Sequence, residues 1–379
     1  MRVALLTNIL PPYRVPVYRA LAATPGWQLR VLLNARSEFD RSWEVDPGGL
    51  DLKIVKSVSL VRGGRTLHVP LGLLEALRRF GPDVVVSVEF GARTLLAALY
   101  CSLARVPLVI WSYPTRVTAA ETPRWRRALA GILLGRARAV IGMGRQAREV
   151  LSAWGVPGER LFDAPNAHDH EAYLKALATA EPAARKHSLR AALQCRARIA
   201  LVVGRLVPSK GIVQLLDAWD RLPPDLRSDW TLLVLGSGPL EDVVKRARDT
   251  HPPGAIAHFP AVQPHEVIDF YNSADLLLFP SLADPWGLVV SEAMACGLPV
   301  LCSTRAGCAE DLIRPGENGW LVDPLDEDAF SSALLEALTS GQRQRLGERA
   351  RETAERFTPE AMAEGMRRAL RHALSSTSS

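Results

Sequence analysis

Short runs of consecutive apolar, mostly β-branched residues alternate along this chain with segments whose apolar positions recur every three or four residues. Residues 3–7, 29–33, 83–88, 108–111, 139–142 and 161–164 read as buried strands, and segments such as 71–80 and 94–103 have helical spacing. Continuous rather than alternating hydrophobicity means that both faces of each strand are covered, as in a parallel sheet between two helix layers. A polar, alanine-rich passage at 171–198 interrupts the pattern. It restarts with strand-like runs at 199–203, 230–235, 255–259, 276–279, 300–302 and 320–322. The expectation is an α/β protein of two doubly wound domains.

Length agrees with that expectation, since 379 residues suit two cores of roughly 150 to 200 residues each. The five cysteines, Cys101, Cys195, Cys296, Cys302 and Cys308, form no CxxC pair and lie mostly among apolar neighbours. That speaks against a zinc site or a disulfide framework and for a reducing, cytoplasmic setting. No signal-like segment and no apolar run of about 18 residues is visible, so no membrane span is expected. Residues 1–190 hold 27 Lys and Arg against 15 Asp and Glu, while the remainder holds 19 against 25. A positive field of this kind favours acidic partners or an anionic membrane surface, although Arg-rich composition alone also produces it. No nucleic-acid partner is expected. The segment 375–379, Ser375-Ser376-Thr377-Ser378-Ser379, is expected to be a disordered tail.

Ligands of open α/β sheets meet the chain beyond the carboxyl ends of the strands. After 199–203 comes Gly204-Arg205-Leu206-Val207-Pro208-Ser209-Lys210-Gly211, which sets two cations five residues apart ahead of a helical segment. Cations beside helix-terminal amides suit a diphosphate, though an ordinary solvated loop has the same residues. After 230–235, Gly236-Ser237-Gly238-Pro239 permits close backbone approach, as does any tight turn. After 276–279, the stretch Pro280-Ser281-Leu282-Ala283-Asp284-Pro285-Trp286-Gly287-Leu288-Val289-Val290-Ser291-Glu292 places two carboxylates eight positions apart across a loop and a short helix. Eight helical residues would span about 12 Å, comparable to the separation of ribose and hexose in a nucleotide sugar. Gly297 and Pro299 should end that helix.

The ordered set Gly-Arg-Leu…Lys-Gly, Gly-x-Gly-Pro, Pro-Ser…Pro-Trp-Gly-Leu-Val-Val-x-Glu-Ala-Met-Ala-Cys-Gly-Leu-Pro-Val and Glu-Asn-Gly-Trp-Leu-Val closely resembles the retaining glycosyltransferases of family 4. The segments Thr7-Asn8-Ile9-Leu10-Pro11-Pro12-Tyr13-Arg14 and Pro165-Asn166-Ala167-His168-Asp169 resemble that family's first loop and hinge. The resemblance implies a GT-B fold, two Rossmann-like domains whose parallel sheets face an interdomain cleft. Residues 1–168 would bind the acceptor and be completed by a C-terminal helix at about 357–374, and residues 169–356 would bind the nucleotide sugar. Arg205 and Lys210 would neutralise the donor diphosphate, Asp284 would contact the hexose, and Glu292 would hold the ribose. Gly204, Gly236, Gly238, Trp286, Gly287 and Leu288 would complete the donor site. On the acceptor side the candidates are Tyr13, Arg14, Glu89, Ser112 and Tyr113.

Two positions depart from the family pattern. Asp284 stands where Glu is usual and is one methylene shorter, a retreat of roughly 1 Å at a site where such a shift costs rate. No His follows the strand 108–111, which continues Trp111-Ser112-Tyr113-Pro114; among the nearby residues Glu89, directly after a strand, is the foremost acceptor contact. His168-Asp169-His170 looks like a metal cluster, but adjacent side chains diverge and Asp169 reads better as a helix N-cap. Cys302 and Cys308 have no base partner and read as packing groups. The absence of Gly-x-Gly-x-x-Gly after the first strand argues against a nicotinamide enzyme. The segment 124–138, basic at both ends and apolar between, reads as a core helix, with contact to an anionic bilayer as the alternative.

The resulting expectation is a metal-independent, retaining transferase that moves a hexosyl or amino-hexosyl group from a nucleotide sugar, UDP favoured and GDP allowed. Its acceptor would be a hydroxyl of a glycan, glycolipid or natural product, with no cofactor beyond the co-substrate, in polysaccharide biosynthesis or a related route. A nucleotide-sugar 2-epimerase and a non-catalytic nucleotide-binding subunit on the same fold are the alternatives.

Overall fold

The apolar runs become strands of two parallel sheets in the computed structural model, which describes residues 1–36, 45–62, 65–169, 171–173, 175 and 189–375. The chain begins with β1 (Arg2–Thr7), α1 (Val15–Ala22), β2 (Gln28–Leu33) and β3 (Asp51–Ile54). An antiparallel hairpin, β4 (Val58–Arg62) and β5 (Arg65–Val69), follows. Next come α2 (Leu73–Phe80), β6 (Val84–Val88), α3 (Ala92–Ala104), β7 (Leu108–Ser112), α4 (Arg116–Ala120), α5 (Arg124–Arg136), β8 (Ala139–Gly142), α6 (Gly144–Ala153) and β9 (Leu161–Asp163). The first sheet has the order β3-β2-β1-β6-β7-β8-β9, with every neighbouring pair parallel.

The second sheet is built from β10 (Arg198–Val203), α7 (Ile212–Asp220), α8 (Pro224–Asp229), β11 (Trp230–Leu235), α9 (Glu241–Thr250), β12 (Ile256–Phe259), α10 (Val267–Ser273), β13 (Leu276–Phe279), α11 (Leu288–Ala295), β14 (Val300–Ser303), α12 (Ala309–Leu312) and β15 (Gly319–Val322). Its order is β12-β11-β10-β13-β14-β15, again all parallel. The helices α13 (Glu327–Thr339), α14 (Arg343–Ala354) and α15 (Pro359–Ser375) close the chain. By contacts the molecule divides into Met1–Ala167 with Pro359–Ser379, and His168–Thr358.

The strands read from the sequence recur within about a residue of their expected bounds, because buried apolar runs leave no other way to cover both faces. β3 and the hairpin were not anticipated. β3 is a sheet-edge strand with no fully buried side chain, so Asp51-Leu52-Lys53-Ile54 carries no continuous apolar signal. Ser375 ends α15 rather than joining a tail, and residues 376–379 of the expected tail lie outside the described residues.

α15 belongs to the first unit because of what it buries. Met362, Ala363, Met366, Ala369, Leu370 and Ala373 join Val17, Tyr18 and Leu21 of α1 and the apolar face of β1, β6 and β7 in one cluster. Spacings of three and four put these residues on a single helix face. Among the described residues, no helix is long and apolar enough to cross a membrane. Met366 is completely buried in this cluster, so Met366→Ala should lower the stability of the first unit by about 2–5 kcal/mol, measured by urea unfolding followed through its tryptophans.

Candidate functional site

In each sheet the chain turns outward on one side of a central strand and returns on the other, between β1 and β6 and between β10 and β13. Loops leaving such neighbouring strands diverge and open a crevice at their carboxyl ends. The residues singled out above gather at these two places.

In the second unit, Ser209, Lys210 and Gly211 of the loop after β10 lie against the loop after β13. Leu282 N–H donates to Ser209 O at 2.9 Å and Ser281 Oγ donates to the same oxygen at 3.1 Å. Gly211 has φ +68°, and a Cβ there would stand 1.9 Å from Pro280 O, so this approach requires glycine. The clamp carries the Lys210 Nζ onto Asp284 Oδ2 in an ion pair that is largely buried. Trp286 N–H donates to the other carboxylate oxygen at 3.0 Å. Asp284 also bridges to Ala306, and its carbonyl accepts from Gly307 N–H at 2.9 Å. The Asp284 side chain thus ties the loop after β10 to its own loop, and its backbone ties in the loop after β14.

Arg205 is exposed in the turn after β10. Gly204, Gly236 and Gly238 lie where that turn crosses the one after β11, with Leu206 N–H donating to Ser237 O and Leu240 N–H to Leu206 O, both at 2.9 Å. Trp286 is only 2% exposed, and its ring packs against Phe357, 6.0 Å between centroids. Its indole is a packing group beneath the loop. Arg305 belongs to the polar segment Thr304-Arg305-Ala306-Gly307-Cys308-Ala309-Glu310-Asp311, which the sequence offers as a further source of polar groups at a strand end. It reaches over from the loop after β14 and donates through Nε to Leu282 O at 2.9 Å.

Gly287 caps α11 at φ +101°, and a Cβ there would come within 2.8 Å of the Phe279 ring. The helix therefore starts at Leu288, which is half-buried. Only the second half of the interval from Asp284 to Glu292 is helical, so the continuous 12 Å helical span does not apply: a left-handed residue separates the loop from the helix. Glu292 is half-buried and accepts from Tyr271 Oη at 2.9 Å and from the Tyr173 hydroxyl. Burial pushes its carboxyl pKa up, and the two hydroxyls partly offset this. Neither tyrosine was legible in the sequence, since each comes from a different helix with no motif around it.

In the first unit, Tyr13, Arg14, Glu89 and Tyr113 line one polar cavity together with Asn8, Arg93 and Trp111. Ser112 joins them through Glu89, whose Oε1 accepts from Ser112 Oγ and from Tyr113 N–H, each at 3.0 Å. Glu89 adopts φ +62°, uncommon for a residue other than glycine and a sign of stored strain. Its N–H donates to Trp111 O at 2.8 Å, which fixes that conformation. Burial raises its pKa, opposed by the Tyr113 N–H, the Ser112 hydroxyl and Arg93. Arg93 and Asn8 were not among the expected site residues; their signal is position, at a strand end and in the first turn of the next helix.

The remaining candidates behave as packing or capping groups. His168 is buried edge-on to Tyr173, Asp169 Oδ1 accepts from Ala172 N–H at 3.2 Å as an N-cap, and His170 lies outside the described residues. Among the described residues, no group of three or more His, Cys, Asp or Glu is placed to hold a metal ion. Cys302 and Cys308 are buried free thiols behind the Gly287 loop.

Residues 189–353 match the family described as Glycosyl transferases group 1, and residues 12–167 match the Glycosyl transferase 4-like domain. The D-inositol 3-phosphate glycosyltransferase of Acidothermus cellulolyticus is 32% identical over 185 residues, covering 46% of this chain and 41% of that protein. The same enzyme of Pseudarthrobacter chlorophenolicus is 32% identical over 277 residues, covering 68% of this chain and 63% of that one. The match therefore spans less than two thirds of either relative. HepE of Anabaena, solved in complex with UDP and glucose, aligns over 98% of this chain and 99% of its own with a TM-score of 0.75 at 18% identity. That likeness shows the fold, two Rossmann-like domains of the GT-B type.

Tyr271→Phe deletes a donor that favours ionised Glu292, so the carboxyl pKa should rise further. A carbon-13 NMR titration of labelled glutamate side chains, compared with Glu292→Gln to assign the signal, checks the direction.

Proposed function

Because the chain belongs to the Glycosyl transferases group 1 family, with a Glycosyl transferase 4-like domain over its first half, we propose that it transfers a hexosyl or amino-hexosyl group from a nucleotide sugar to an acceptor hydroxyl with retention and without a metal. The second unit takes the donor and the first unit the acceptor, a glycan, glycolipid or natural product. The observation that carries this reading is the Lys210–Asp284 pair at the mouth of the β10/β13 crevice, with Glu292 on the helix that follows. UDP is the favoured nucleotide, supported by the UDP and glucose in the HepE structure.

In this reading Lys210 and Arg205 meet the diphosphate, and Glu292, steadied by Tyr271 and Tyr173, accepts the ribose hydroxyls. As the bond from the anomeric carbon to the diphosphate oxygen breaks, negative charge grows on that oxygen and Lys210 stabilises it. The departing oxygen takes the acceptor's proton while the acceptor attacks from the same face. Asp284 holds the ammonium and the Trp286 amide in register, so its shortened side chain acts on the donor through Lys210 as well as through the sugar. Lys210→Ala should lower transfer or hydrolysis of UDP-glucose by roughly two to three orders of magnitude with folding intact. Unchanged turnover would sink the assignment, and conversion of the donor sugar to its 2-epimer without acceptor would point to the epimerase instead.

The neighbouring helices α3 and α5 support a peripheral contact with an anionic membrane. Leu99, Leu103, Trp125 and Ile132 are exposed on them, interspersed with exposed Arg105, Arg124, Arg126, Arg127 and Arg136. Basic residues beside apolar ones suit an acidic headgroup layer. Vesicles containing phosphatidylglycerol should co-sediment the protein at low salt, phosphatidylcholine vesicles should not, and Trp125→Ala should weaken the binding.

A further inference from the structure

Arg14 is a charged group of the first-unit cavity that the transferase mechanism does not use. It ends the 3₁₀ turn Pro12–Arg14 just beyond β1, and its side chain lines the cavity at the carboxyl ends of β1, β6 and β7 while the residue is only 7% exposed. The guanidinium lies 4.3 Å from the centroid of Trp111 and 5.4 Å from that of Tyr13. Its Nη1 and Nη2 donate to the thioether sulfurs of Met362 and Met143, at 3.2 and 3.6 Å. Among the described residues, no carboxylate or other oxygen is paired with it. Sulfur is a weak acceptor, and ring faces do not replace the water that burial removes from a cation. The planar fork of N–H donors thus has only soft partners in the protein and faces the cavity.

The carboxyl group in the same cavity does not complete this arrangement. Glu89 is turned by its positive φ and spends Oε1 on Ser112 and Tyr113. Arg93 donates to Asn8 Oδ1 and Val88 O, adding a second cation to the lining. The cavity therefore holds two guanidinium groups and one carboxyl whose ionisation burial disfavours.

We propose that this cavity receives a phosphate or carboxylate carried by the acceptor, held by the Arg14 fork, so that the acceptor class is an anionic, hydroxyl-bearing molecule. The proposal rests on the transferase reading and deepens it. Arginine matches either anion in a two-pronged geometry, and an anion entering here gains the pairing that the protein withholds. A cation kept only for binding should be dispensable for folding, since an apolar replacement of similar length removes an uncompensated buried charge.

The test uses the full chain with glucose 6-phosphate, glucuronate and glucose as probes, each with and without saturating UDP, by isothermal titration and thermal shift. Glucose 6-phosphate or glucuronate should bind and glucose should not, and UDP should not compete. Arg14→Met should weaken the anionic probe at least tenfold, keep or raise the melting temperature, and leave UDP binding unchanged; Arg14→Lys should fall between. Equal binding by Arg14→Met, displacement by UDP, or no anionic probe binding to the wild type would each overturn the proposal. A melting temperature lowered by both Arg14 variants would assign the residue to folding and overturn it as well. Failure of UDP to bind the wild type would instead overturn the transferase reading.

Discussion

Reversal of strand order beside β1 and beside β10 is the constraint on which the rest of the structure depends. All strands within each large sheet run parallel, so every loop that could carry chemistry emerges at the same edge, and only at the reversal do two adjacent loops part. In the second unit that parting brings the segment ending in Lys210 beside the segment beginning at Pro280. In the first it brings Asn8 and the Tyr13–Arg14 turn beside Glu89.

The two crevices are furnished in opposite ways. In the second unit the cation is paired: Lys210 rests on Asp284, and that carboxylate is in turn held by the Trp286 amide. The loops that carry this pair are also held together by backbone hydrogen bonds, from Leu282 N–H to Ser209 O and from Gly307 N–H to Asp284 O. In the first unit the cation is left with sulfur and aromatic neighbours, and the acid beside it is strained into a conformation that points its hydrogen bonds elsewhere. Strain and an uncompensated charge in one cavity are costs that packing of α15 against the sheet has to offset. The C-terminal helix is therefore part of the site's support, with Met362 touching Arg14 on one side and the shared core on the other.

Much of this was legible because particular residues leave few options. The runs at 230–235 and 276–279 have no polar residue beyond Thr231 to place on a wet face, so they had to be interior strands of a covered sheet. Gly236 and Gly238 marked a turn of close backbone approach, and a Cβ at either would run into a backbone carbonyl, Gly204 O or Leu206 O. The edge strand β3 and the hairpin escaped notice, since exposed or short strands carry weak periodicity. Tyr173 and Tyr271 escaped for a different reason: they reach Glu292 from separate helices, and nothing local to either residue records that meeting.

By itself the sequence determined the α/β architecture, its two sheets and the loops at which chemistry gathers, because burial of apolar runs and the left-handed turns of glycine are local requirements. The tertiary structure decided the partners. It set Asp284 on Lys210, gave Glu292 two hydroxyl donors, and placed Arg14 among Trp111, Met143 and Met362 instead of beside an acid. Pairing and burial of charge depend on residues far apart in the chain arriving together, and no local pattern encodes that arrival.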